Sequence, residues 1–121
     1  MRYVALICVA TAFLSHAPDA SAKPGFPYDG AWNLVFVTQR GPCDSTYNFT
    51  VSVTHGMVTH PNLAKFRGRV TKGGVVHASV TVQDKRAAGA GKLTKESGRG
   101  MWNGYSGGAR CSGYWTAQKS G

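Results

Sequence analysis

From residue 30 onward, apolar and polar residues alternate with a period of two, and helical spacing is absent. "WNLVFVT" places Trp32, Leu34 and Phe36 on one face. "YNFTVSV" sets Tyr47, Phe49, Val51 and Val53 against Asn48, Thr50 and Ser52. Alternation of this kind predicts half-buried strands, because successive side chains of a strand point to opposite faces. His55-Gly56 predicts a tight hairpin, since Gly tolerates positive φ, and "MVTH" returns from it. Pro61-Asn62, "TKGG" and Gln83-Asp84-Lys85 break the chain again. Between these breaks, "AKFRGRV" alternates, and "VVHASVTV" gathers Val76, Ala78, Val80 and Val82 on one face. "AAGAGKL", "GRGMWNG" and "SGYWTAQ" complete eight short segments. Turn signals every 8 to 12 residues or so predict an all-β sandwich or barrel.

Glycine placement favours the barrel. Gly89 and Gly91 share parity with Leu93, Gly98 and Gly100 with Trp102, and Gly113 with Trp115. Glycine weakens a strand, so its repetition at alternate positions needs a reason. Flexible, poorly ordered strands are one reading. The recurring aromatic two residues after a glycine argues for the other, in which small inward residues make room for Trp32, Trp102 and Trp115 in a narrow, tapering interior. The expectation is a small eight-stranded up-and-down antiparallel barrel, or barrel-like sandwich, over residues 30–119, after a linker at 23–29. Trp32, Phe36, Phe49 and Trp102 are expected to be largely buried.

The opening "MRYVALICVATAFLSHAPDASAKPG" has one Arg, an apolar run from Tyr3 to Leu14, and Ala20-Ser21-Ala22. This order predicts a secretory signal peptide, residues 1–22, cleaved after Ala22. The apolar run is shorter than the roughly 20 residues of a spanning helix, and Cys8 sits inside it with no spacer, which disfavours a lipid anchor. No stretch of the mature chain qualifies as a transmembrane helix. The expected location is secreted or periplasmic.

Cleavage removes Arg2, Asp19 and Cys8, so the 14 Lys+Arg and 5 Asp+Glu each fall by one and the excess stays at +9. Cys43 and Cys111 remain, and in an oxidising compartment an even pair reads as one disulfide. Neither has a second ligand at zinc-finger spacing. In an up-and-down barrel the connections after strands 1, 3, 5 and 7 share one end. Cys43 falls after strand 1 and Cys111 between strands 7 and 8, so closure brings them together and the bridge staples the seam.

"YDGAWNLVFVTQRGPCDSTYNFTVSVTHGMV", "FRGRVTKGGVVHASV", "GRGMWNG" and "CSGYWTA" resemble a family of small secreted alphaproteobacterial proteins. The shared pattern is an aromatic-Asp-Gly-x-Trp start, a Cys-Asp pair, Gly-rich central hairpins and a Cys-x-Gly-x-Trp end. The resemblance implies an exported, disulfide-linked β domain and carries no settled activity. Gly30-x-Trp32 also looks like the first strand of lipocalin-type calycins and avidins. The short strands leave little room for a calycin-sized cavity, and the aromatic residues are numerous enough to fill the interior.

Candidate chemistry is sparse. No Ser or Thr has His and carboxylate partners at a recognisable motif spacing, so no catalytic residue is assigned and a non-enzymatic role is expected. His55 and His60 lie at turns and His77 shares the polar parity of Ser79 and Thr81, so neither a metal site nor a cofactor is expected. Asp29, Asp44, Asp84 and Glu96 are isolated, against a paired-carboxylate site. Asp29 and Asp44 read as turn residues bonding local backbone. "NFT" at Asn48 matches a glycosylation acceptor but sits mid-strand.

The basic row is the strongest functional signal. Phe66 and Val70 are expected inside, which sends Lys65, Arg67 and Arg69 outward as one row, with Lys72, Lys85 and Arg86 as extensions. A solvated face that blocks edge aggregation is the bland reading. An excess of +9 on about 99 residues favours the other, a field that concentrates polyanions. The expected function is therefore an exported binding domain for an anionic polymer or surface, such as acidic or sulfated glycan, lipopolysaccharide or anionic lipid. A structural or stress-related envelope protein is the alternative. A calycin-like small-ligand carrier lined by Trp32, Trp102 and Trp115 is a third reading. Nucleic acid has the right charge, but Phe66 has the opposite parity to the cations, which gives no support for base stacking.

Overall fold

The alternation along "YNFTVSV" is realised as strand pairing, and the same parity holds around a complete ring of strands. The structure, a computed structural model, describes residues 25–121, so the expected signal peptide at 1–22 lies outside the described residues. Eight antiparallel strands follow in chain order: β1 (Gly30–Arg40), β2 (Thr46–Thr54), β3 (Met57–His60), β4 (Leu63–Val70), β5 (Val75–Val82), β6 (Lys85–Leu93), β7 (Ser97–Ser106) and β8 (Ala109–Lys119). They form a closed up-and-down barrel in which β8 returns to pair with β1 from Trp32↔Lys119 to Thr38↔Gly113. The register shifts between Thr38 and Arg40, where a bulge bends β1 at the seam.

The turns follow from the residues that form them. His55 and Gly56 have φ of 53° and 75°, the doubly positive geometry of a two-residue hairpin loop that matches strand twist. Asp29 holds this loop from a distance: its carboxylate accepts the His55 N–H at 2.7 Å and the Gly56 N–H at 3.0 Å. The expectation that Asp29 bonds local backbone is thereby corrected. A carboxylate already outside the barrel end satisfies the two donors that a tight turn leaves without partners. Residues 25–29 thus close one end, with Phe26 edge-on to His55 (ring centroids 5.0 Å) and the Tyr28 carbonyl accepting the Trp32 indole N–H at 2.8 Å.

The core runs down the axis through Trp32, Val51, Val53, Val58, Phe66, Val70, Val76, Leu93, Trp102 and Trp115. Two inward glycines admit one of its three tryptophans. A Cβ built on Gly91 would lie 2.5 Å, and one on Gly100 2.6 Å, from the Trp115 ring, which rests on the bare backbone of β6 and β7. The glycine-aromatic pattern therefore reflects close approach rather than flexibility.

The disulfide joins Cys43, in the β1–β2 loop, to Cys111, with Cα atoms 6.1 Å apart. Cys111 belongs to β8 itself and not to the β7–β8 turn, because that hairpin is tight and pairing resumes at Ser106↔Ala109. The cross-link closes a separation of 68 residues. Chain entropy alone assigns such a loop roughly 4 to 5 kcal/mol, with observed gains often smaller.

Three outcomes test these assignments. Cys111→Ser should lower unfolding free energy by about 2–5 kcal/mol in urea titrations under non-reducing conditions. Gly100→Ala should cost on the order of 1–3 kcal/mol by crowding both the Ala90 carbonyl of β6 and the Trp115 ring. Gly108→Ala, where an added Cβ meets nothing within 4 Å, should stay within about 0.5 kcal/mol of the parent.

Candidate functional site

Strand parity decides which charges face solvent. Lys65, Arg67 and Arg69 are exposed on β4, while Phe66 and Val70 between and beside them are buried. Arg67 stands between Thr59 of β3 and Ser79 of β5; Arg69 stands between Met57 and His77. These cross-strand neighbours carry no carboxylate. The absence extends further: the four side-chain carboxylates among the described residues all lie in end connections. Asp29 precedes β1, Asp44 follows it, Asp84 lies in the β5–β6 turn and Glu96 in the β6–β7 turn. The outer wall of the barrel is thus cationic and acid-free.

The other candidate cations separate. Lys72, in the β4–β5 turn, continues the row beyond Arg69 at the end closed by Phe26. Arg86 extends it sideways, opposite Thr81, the next outward β5 residue after the Ser79 that pairs with Arg67. Lys85 has the inward parity of Ala87 and Gly89, paired with Val82 and Ser106 at the opposite rim, so it leaves the outer row altogether.

A second group of outward residues exists, of which only Arg86 was read from the sequence. Arg86, Tyr105 and Arg110 align across β6, β7 and β8, with the Arg110 guanidinium 5.4 Å from the Tyr105 ring centroid, a cation–π contact. Lys92 pairs with Arg99 nearer the other end, and Met101, 63% exposed, pairs with Tyr114 between them. The signal was present in "RGMWNGY", because an inward Trp102 sends Arg99, Met101 and Tyr105 outward. What joins them to Arg86 and Arg110 is hairpin register, which has no local signature.

Inside, the two halves of the barrel differ. Around Trp32 and Trp115 the residual space is only about 40 Å³. Toward the disulfide a cavity of about 270 Å³ opens to the rim, lined by Phe36, Phe49, Val80 and Trp102 among others. Phe36 and Phe49 are accordingly half-buried, not largely buried as expected. Their inward parity is as read, but at this level β6 offers only Ala87 and Lys85, and the interior is left unfilled. The three candidate tryptophans therefore divide, with Trp102 on this cavity and Trp32 and Trp115 in the filled half.

Edge-to-face contacts order the lining. Phe36 meets Phe49 at 5.5 Å and Phe49 meets Phe66 at 5.6 Å, and the His60 ring stacks on Phe66 at 5.9 Å. The Trp102 indole N–H donates to the Val37 carbonyl at 3.0 Å, which locks the ring against the seam. His60 is engaged as well, its Nδ1 accepting the Asn62 N–H at 3.1 Å. Among the described residues, no three His, Cys, Asp or Glu side chains converge on a metal-sized site, and no helix is long and apolar enough to cross a membrane. The geometry offers binding surfaces: a cationic wall and an apolar recess.

Comparison of this chain with protein-family models, curated proteins and solved structures finds nothing that matches. Function must be argued from the residues themselves.

Trp102 is 5% exposed and hydrogen-bonded across the seam. Trp102→Ala should therefore cost roughly 3–5 kcal/mol in chemical denaturation, and a loss below about 1 kcal/mol would show that the ring contributes little packing.

Proposed function

We propose that this protein is an exported, non-enzymatic module that binds extended anions, such as acidic or sulfated glycan, lipopolysaccharide or anionic lipid, through its outer wall. The observation that carries the reading is the sorting of charge. Strand β4 holds Lys65, Arg67 and Arg69 on its outer face, and every acid among the described residues is confined to the ends. A surface meant only to stay soluble gains more from mixed signs than from a single-sign field. Export is supported by the leader-like residues 1–22 and fits a disulfide that ties the barrel seam.

Alternate residues on a strand lie about 6.5–7 Å apart, near the spacing of charges along many polyanions, so one β4 row can meet successive anionic groups. Lys72 prolongs that track at one end and Arg86 widens it at the other. Interactions of this kind are screened within about 8–10 Å at ordinary ionic strength, so affinity falls steeply with salt. The field raises association rate more than it sharpens selectivity, which suits a ligand class defined by charge density.

Replacing Lys65, Arg67 and Arg69 together with Gln keeps polarity and approximate length while removing the charge. The triple variant should retain the parent's circular dichroism and melting temperature. It should elute from a heparin-like column at clearly lower salt. Co-elution with the parent would reduce the row to a solubility device and favour a structural envelope role.

A further inference from the structure

The barrel is hollow on one side only, and the hollow has a charged lip. At the disulfide end, the large inward residues come from β1 and β2, where Phe36 and Phe49 meet edge-to-face. The facing inward positions on β5 and β6 are Val80, Val82, Ala87 and Lys85. Large side chains on one wall opposite small ones on the other leave the recess of about 270 Å³. At the opposite end, Trp115 seated on Gly91 and Gly100 leaves about 40 Å³.

Lys85 is the anomaly in this recess. It starts β6 directly after the two-residue turn at Gln83 and Asp84, and it has inward parity, yet it is exposed. Its ladder partners are Val82 and Ser106, both at the rim. An aliphatic stem can cover apolar wall while the ammonium stays in water, so a lysine at this rim position can hold its charge at the mouth of the aromatic-lined recess. The residues lining the recess include Arg86 beside it and no carboxylate. An apolar body with an anionic head is the complement of that arrangement. A neutral apolar molecule would leave the cation unused, and a cationic one would be repelled.

We propose that the recess at the disulfide end is a binding site for a small apolar anion, an aryl or alkyl carboxylate whose body packs between the Phe36–Phe49–Trp102 cluster and the facing Val80 and Ala87 and whose carboxylate meets Lys85. A cavity of about 150 Å³ suffices for benzene, which sizes this body at an aromatic ring plus about three methylenes. This site is distinct from the outer wall: Lys65, Arg67 and Arg69 face away from the recess.

The test uses one body with three heads. The oxidised protein is titrated with 4-phenylbutyrate, 4-phenylbutan-1-ol and 4-phenylbutylamine, followed by tryptophan fluorescence and calorimetry at low salt. The carboxylate should bind about fivefold more tightly than the alcohol, the scale of one solvent-exposed ion pair, and the amine most weakly. Lys85→Met keeps the stem and should erase the advantage of the carboxylate while leaving the alcohol unchanged. Ala87→Phe, which fills the recess, should abolish binding of both, and a milder Ala87→Val should weaken both if the larger variant does not fold. The Lys65, Arg67 and Arg69→Gln variant should bind 4-phenylbutyrate as the parent does, even where its retention on a heparin-like column is lost. Three results would overturn the site: no saturable binding of any of the three, equal affinity for carboxylate and alcohol in the parent, or carboxylate binding that survives Lys85→Met but disappears in the wall variant.

Discussion

The ladder between β1 and β8, from Trp32↔Lys119 to Thr38↔Gly113, leaves none of the eight strands with an unpaired flank, and the rest of the architecture depends on it. An open sheet of the same strands would expose edge N–H and C=O groups to other chains. It would also lack a common interior, because Trp32 and Trp115 come from the two strands that meet at the seam. The Cys43–Cys111 bridge and the Trp102 hydrogen bond to Val37 both cross this region, one covalently and one through an indole donor. Closure is thus secured by three independent means within a few residues of each other. Parity in every strand is then locked, since a one-residue slip anywhere would turn cations inward and valines outward.

Locked parity explains the separation of the two candidate surfaces. Odd-numbered residues of β4 face solvent, so its three cations share one track. In β6 the odd-numbered residues face inward, so Lys85 occupies the rim of the recess while its neighbour Arg86 joins the outer wall. Two adjacent basic residues thereby point to opposite sides of the wall, although both border the mouth of the recess. The same rule places Tyr105 between Arg86 and Arg110 and exposes Met101 beside Tyr114, giving the β6–β8 face an amphipathic texture that the β4 face lacks.

The two ends of the barrel are built on different physical terms. At one, residues 25–29 pack on the turns, with Asp29 satisfying the donors of the β2–β3 turn and Phe26 packed on His55. The other carries the disulfide and stays open, with half-buried aromatic rings in contact with solvent-accessible space. Apolar lining at an open rim is a cost unless something covers it, and the lysine at the lip bears on what that would be.

Sequence alone determined the strands, the barrel and the identity of the outward row. "YNFTVSV", "AKFRGRV" and the glycine-aromatic spacing each encode parity locally, and parity is a property of consecutive residues. It also pointed to the pairing of Cys43 with Cys111, since only two cysteines remain beyond residue 22 and an up-and-down topology puts both at one end. Only the tertiary structure decided where the interior is full and where it is hollow. That depends on which strands face one another across the axis, so that Trp115 meets Gly91 and Gly100 while Phe36 and Phe49 face Ala87. It likewise decided that Asp29 caps a turn 26 residues away, that Arg86, Tyr105 and Arg110 form one line, and that Lys85 belongs to a recess instead of the wall. Each of these is a relation between segments distant in sequence, set by register and closure, and no local pattern of residue types records it.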